Sequence, residues 1–278
     1  MENTPASYPK SEWRIILGEP RSGAINMAID AAILAAVERE EVPPTLRLFR
    51  WDPPCLSLGY SQPYSDINQK QLFSKGWDVV RRPTGGRAIL HTDELTYSVI
   101  GPRTEPRLEG GLMQSYQRLS EALSASIQNL GLTVEVHTGK NPQALNQPVC
   151  FENPSEFEIT VDGKKIIGNA QARKKEAILQ HGTLPLTGDL TRITEVLHYG
   201  TPGEKNQAAE QLLQKAATVE TLLGKKVSWD EAAQAFKTGF QEILNVNFIE
   251  SDLTNKEEEQ AAMLEKTQFG SITWTRQI

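Results

Sequence analysis

The sequence predicts an α+β fold, a mixed or antiparallel central sheet flanked by helices. Three observations carry that reading. Residues 79–100, VVRRPTGGRAILHTDELTYSVI, hold three runs of β-branched and apolar residues separated by turn residues, which read as strands at 79–80, 88–90 and 95–100. Apolar residues recur at helical spacing over 24–40 and 113–130. Beyond Asp189 the helical character grows.

Taken in order, residues 13–17 read as a first strand, and Ser22 then caps the helix over 24–40. Ile25, Ile29, Ile33 and Leu34 form its apolar stripe, which assigns the helix to core packing. Strand candidates at 45–51 and 55–60 are parted by the turn signal Asp52-Pro53-Pro54, and Cys55 within the second reads as a buried inert thiol. A short helix over 66–75 ends at Gly76, and the helix over 113–130 stops at Gly131. Between the first two strands of the central stretch lie Gly85 and Gly86. A double glycine supplies positive φ and lets a ligand approach the backbone, while Arg82 and Arg87 flank it with guanidinium forks suited to phosphate or carboxylate.

Residues 133–137 can form a strand, and 138–148 carry no pattern and read as a loop leading to Cys150. Phe157, Ile159 and Val161 alternate with polar residues up to Asp162-Gly163, a strong hairpin signal, and the returning strand contains Lys164 and Lys165. Adjacent lysines in a strand point to opposite faces, so one of them faces the core or a pocket. Arg173-Lys174-Lys175 reads as an exposed hairpin tip. Further on, 189–199 and 206–223 are helix candidates, and Ser228 with Glu231 and Thr254 with Glu257 spell two capping boxes. The acidic run 257–259 suits the first turn of its helix.

Composition bounds the function. With 278 residues, 38% hydrophobic and 23% charged, the chain suits a globular protein, and no apolar run is long enough to span a bilayer. Residues 1–12 are polar with no apolar segment of a signal peptide, so cytoplasm is expected. Two cysteines, Cys55 and Cys150, make no disulfide framework, and no Cys/His spacing suggests zinc. A net charge of −6 argues against broad nucleic-acid binding.

As a whole, RRPTGGRAILHTDELTYSVI resembles the ligand-binding signature of the lipoate-protein ligase and octanoyltransferase superfamily. The resemblance implies that Arg82, Gly85, Gly86, Arg87 and His91 line an acyl and phosphate pocket. Family ligases that use ATP tend to carry three glycines in a row; Arg87 occupies the third position here, which favours the acyltransferase branch. Thr92 follows the histidine where relatives often place an acid, and Asp93 is the expected substitute. Asn26, Met27, Ala28 and Asp30 resemble a family element, NMAxD, that packs beside the pocket. CFENPSEFEI resembles the Cys-Phe-x-x-Pro-Ser element of the LipM type of octanoyltransferase, whose cysteine carries the acyl chain as a thioester, whereas composition alone would make Cys150 a buried structural thiol. Lys165, Gly168 and Ala170, with Asn169 between the last two, match Lys-x-x-Gly-x-Ala, whose lysine contacts the acyl carbonyl or activates transfer. Gln180-His181-Gly182-Thr183 resembles the element that closes the pocket. The resemblance covers most of 13–224 and implies the catalytic fold of the biotin and lipoate ligases over 13–225, with 226–278 as a short helical appendage.

The chemistry so implied is two-step acyl transfer without a cofactor or metal. Octanoate would pass from acyl carrier protein to Cys150 and then to a lysine of a lipoyl-domain protein, foremost the H protein of glycine cleavage, with no part for nucleic acid or membrane. Lys165 would favour the thiolate and assist the incoming amine. Backbone N–H groups at 168–170 or at the Gly85-Gly86 turn are both candidates for holding the oxyanion. Four other readings stay open: transfer between two lipoyl-domain proteins, an ATP-dependent lipoate ligase, a thiol hydrolase using His91 or His181, and a non-catalytic acyl-binding protein.

Overall fold

Alternating and fully apolar runs from both halves of the chain combine into one mixed sheet. The computed structural model describes residues 8–137 and 158–278. The chain begins with β1 (Ser11–Leu17), α1 (Gly23–Glu38), β2 (Thr45–Phe49) and β3 (Cys55–Leu58). It continues through α2 (Gln69–Ser74), β4 (Asp78–Arg81), β5 (Ile89–His91), β6 (Glu94–Pro102) and α3 (Leu112–Asn129). Then come β7 (Glu135–His137), β8 (Glu158–Val161), β9 (Lys164–Lys165), β10 (Gly168–Arg173) and β11 (Ala177–Pro185). The last elements are α4 (Pro202–Lys215), α5 (Val219–Leu223), α6 (Trp229–Leu244), β12 (Val246–Glu250), α7 (Asn255–Leu264) and α8 (Ile272–Thr275).

The main sheet has the order β10-β11-β6-β2-β1-β12, antiparallel from β10 to β2 and parallel from β2 to β12. Its central strands are covered on both sides, which is why β6 and β11 are buried almost throughout. One face carries Leu46, Leu48, Leu95, Tyr97 and Val99 against α3 and α6, where Tyr97, Phe236 and Phe240 meet with ring centroids 5.8–6.4 Å apart. The other face meets α1 through Met27, Ile33, Phe49 and Ile100. A smaller sheet, β4-β3-β5, lies beside the α1 face and has its own apolar cluster around Leu56, Leu58 and Leu72. Among the described residues no helix is long and apolar enough to cross a membrane.

Local chemistry sets most boundaries. Ser22 Oγ accepts the Ile25 N–H at the start of α1, and Asp162 and Gly163 hold φ of 50° and 70° in the predicted hairpin between β8 and β9. Both capping boxes form, at α6 and α7. Three expectations need correction. The helix read over 206–223 divides into α4 and α5, because Ala216 is extended and buried and the Ala217 N–H donates to Lys165 O at 3.2 Å. The segment 189–199 forms only a 3₁₀ turn, Leu190–Glu195, started by Asp189. The appendage over 226–278 is not purely helical: β12 pairs in parallel with β1, and α6 supplies Phe236 and Phe240 to the main core.

Candidate active site

A cleft with about 380 Å³ of empty space, the open solvent at its mouth included, lies where β10, β11 and β6 face α1, β3 and β5. Met27, Trp51 and Ile89 give it an apolar side; Ser57, Arg82, His91, Thr96, His181 and Thr183 give it a polar one. Gly168, Asn169, Ala170 and Gly182 form the strand wall between them. Of the residues singled out from the sequence, Arg82, His91, Gly168, Asn169, Ala170, His181 and Gly182 therefore share one cavity.

The arginine-glycine loop forms the rim by backbone contact. Tyr60 N–H donates to Thr84 O at 2.8 Å, and a Cβ on Gly59 would lie 1.9 Å from Gly86 O, so the two segments touch main chain to main chain. Gly86 takes φ of 93°; Gly85 is not in the left-handed region. Arg81 and Arg82, adjacent in the chain, diverge. Arg81 is buried and donates to the carbonyls of Gly59, Tyr60, Gln62 and Thr275. The terminal nitrogens of Arg82 donate to Ser57 O and Oγ and to the carbonyls of Gly85 and Arg87, at 2.7–3.1 Å. Arg82 thus lines the cleft with its fork turned to the loop it braces. Gly85, Gly86 and Arg87 shape the rim and do not line the cleft itself.

His91 sits in a chain of short contacts. Its Nε2 is 2.8 Å from Ser57 Oγ, its Nδ1 is 2.5 Å from Glu94 Oε1, and its ring stacks on Trp51 at 4.0 Å. Thr96 Oγ1 donates to the same Glu94 oxygen and accepts from Trp51 Nε1. The acid serving the histidine is thus Glu94. Asp93, the expected substitute, turns outward to Arg192 at 2.5 Å, because the short turn between β5 and β6 sends the next residue back to the histidine's side.

Behind the cleft lies a buried polar network that core packing alone does not describe. Asp30 Oδ1 pairs with Arg47 at 2.8 Å, and its Oδ2 accepts from Ser98 at 2.6 Å and lies 3.6 Å from His181 Nδ1. Asn26 accepts from Arg47 at 2.6 Å and donates to Arg21 O and Arg50 O. His181 Nε2 is 2.7 Å from Thr84 Oγ1, which ties β11 to the arginine-glycine loop. Burial alone would raise Asp30, but the Arg47 charge and the bonds from His181 and Ser98 hold its carboxyl below the ordinary value. Burial pushes His181 below the ordinary histidine value, only partly offset by Asp30, so the neutral imidazole is favoured at neutral pH. The signal for this network is a charge where an apolar pattern expects none: Asp30 beside the stripe of α1, and Arg47 at the centre of the wholly buried strand TLRLF.

On the β10 side, Tyr97 Oη donates to Asn169 Oδ1 at 2.6 Å. A Cβ on Gly182 would meet that Asn169 oxygen at 2.2 Å and Tyr97 at 2.8 Å, so the match of glycine to this position is steric. Lys165 is the inward member of the lysine pair: its Nζ lies 2.9 Å from Glu158 Oε1 at 5% side-chain exposure, while Lys164 reaches out to Leu213 O. Lys165 is three residues from Gly168 and does not line the cleft. Cys150 lies outside the described residues, as does the loop leading to it. Among the described residues no group of three His, Cys, Asp or Glu side chains is arranged to hold a metal.

Residues 22–241 match the lipoyl protein ligase A/B catalytic domain family. The chain is similar to octanoyltransferase LipM of Brevibacillus brevis, 38% identical over 95% of this chain and 98% of that protein. Octanoyltransferase LipM of Bacillus subtilis is 35% identical over the same shares. Among solved structures, the bipartite lipoate protein ligase of Thermoplasma acidophilum superposes with a TM-score of 0.81 at 26% identity, covering 96% of each chain. A lipoate-protein ligase A bound with ATP gives 0.78 at 26% identity, over 95% of this chain and 98% of that one. A family match across most of the chain, joined to the fold and the shared cleft, establishes that this chain belongs to the lipoyl protein ligase A/B catalytic domain family.

Proposed function

We propose that this chain is an octanoyltransferase of lipoate biosynthesis, carrying octanoate from acyl carrier protein through a Cys150 thioester to a lysine of a lipoyl-domain protein such as the glycine cleavage H protein. The observation that carries the reading is the convergence of Arg82, His91, the 168–170 strand and His181-Gly182 on one cleft with an apolar side. Relatives named octanoyltransferase LipM, aligned along nearly the whole chain, support the same acyl group.

In this reading the Cys150 thiolate adds to the thioester carbonyl of the carrier, and collapse of the adduct expels the carrier's thiolate. The acceptor amine then adds to the enzyme thioester, Cys150 leaves as thiolate, and an amide forms as the amine loses its proton. Lys165, held inside by Glu158, is the cation assigned to favouring the thiolate and the amine step.

The test is incubation of the protein with octanoyl acyl carrier protein, without ATP, followed by intact mass and hydroxylamine treatment. A hydroxylamine-labile octanoyl adduct, absent from Cys150→Ala and passed on to added H protein, is expected. Modification of the acceptor only when ATP and free octanoate or lipoate are supplied would overturn the transferase reading.

A further inference from the structure

Among the described residues, one buried polar side-chain atom lining the cleft has no hydrogen-bond partner in the protein. Ser57 is engaged by His91 and Arg82, His91 by Glu94, Thr96 by Glu94 and Trp51, Asn169 by Tyr97, and His181 by Thr84. Thr183 is 1% exposed and lines the same cleft, yet among the described residues its Oγ1 is buried without a partner. A buried hydroxyl left unpaired is destabilising, so such groups call for a physical account. A β-branched hydrocarbon of the same shape would line the wall without that cost.

The position of Thr183 says which part of a ligand it meets. It stands on β11 between Gly168 of β10 and Thr96 of β6, on the same face as His181. An acyl tail has no atom that can accept a hydrogen bond, and Met27, Trp51 and Ile89 offer it contact in the same cleft. The group that answers a hydroxyl is the acyl carbonyl. A hydroxyl donor aimed at a carbonyl is most useful where negative charge develops on the oxygen during addition.

We infer that Thr183 Oγ1 donates a hydrogen bond to the acyl carbonyl oxygen, fixing the acyl group with its carbonyl at the β10–β11 wall and holding the oxyanion of each addition step. This rests on the acyl-transfer reading above. When a thiolate adds to the carbonyl carbon, the C=O pair moves onto the oxygen beside Thr183, and on collapse the pair re-forms C=O as the carrier's thiolate departs. The hydroxyl keeps its proton throughout.

Thr183→Val removes the hydroxyl while keeping the shape, and Thr183→Ser restores it. Three readouts are taken on the full chain: the rate of Cys150 acylation by octanoyl acyl carrier protein, calorimetric binding of octanamide, and thermal midpoint. The expected result for the valine variant is acylation slowed about 100-fold, octanamide bound about 10-fold more weakly, and a midpoint unchanged or raised, with serine recovering rate and binding. A structural hydroxyl would instead lower the midpoint on removal. A valine variant that acylates and binds like the parent overturns the assignment. Failure of the parent itself to be acylated sinks the transferase reading, and octanamide binding then still decides the role of Thr183.

Discussion

Asp30 and Arg47 are each 1% exposed, so neither charge has water to fall back on. Asp30→Ala would strand the Arg47 guanidinium in the core, and we expect a loss of about 3–5 kcal/mol in urea-unfolding free energy. His181 adds a pH dependence. Its folded value lies below the ordinary 6.5, so as pH falls the unfolded chain takes up the proton first. Its contribution to stability is thus complete above about 6.5 and is lost as pH falls below that toward the folded value. The urea midpoint should fall between pH 7.5 and 5.5, and His181→Gln should flatten that fall; an equal slope in both proteins would exclude His181 as its source. His91 and His181 were both legible as pocket residues from their motifs. Their partners were not, because Glu94 and Asp30 are chosen by turn geometry and by contacts across the sheet.

At the scale of elements, the two capping boxes share a sequence pattern and differ in surroundings. Glu231 closes the box of α6 at the surface, where among the described residues its carboxylate bonds Ser228 alone. Glu257 closes the box of α7 while fully buried, and its carboxylate also takes two bonds from Arg14 at 2.6 and 2.8 Å. Glu257→Ala therefore removes a cap and strands a buried arginine, with an expected cost of about 3–5 kcal/mol. Glu231→Ala should cost far less, and comparable thermal shifts in the two variants would contradict this. The caps and the β8–β9 hairpin were readable because each depends on neighbours in sequence. The division of α4 from α5 was not, since the extended Ala216 is set by Lys165, some fifty residues earlier.

For the whole molecule, the sheet joins the two ends of the sequence. β12 pairs with β1, α7 packs on α1, and Arg81 binds Thr275 O from the rim of the cleft. A chain ending at residue 225 would lose Phe236 and Phe240 from the main core. Such a fragment is expected to show no cooperative thermal transition by circular dichroism; a soluble, cooperatively melting fragment would show that 226–278 is separable. Sequence pattern suggested a helical appendage because Ser228 with Glu231 and Thr254 with Glu257 spell two capping boxes there. That β12 returns to the first strand is a long-range pairing, invisible to periodicity.

The bond from Arg81 to Thr275 also bears on how the protein is made. At the rim of the cleft Arg81 is braced by a carbonyl 194 residues further along the chain. At roughly 5–20 residues per second, the nascent chain spends many seconds with β1 unpaired on one side and the cleft unbraced. A translation product stopped before Thr275 would accordingly carry the cleft-lining residues without that brace.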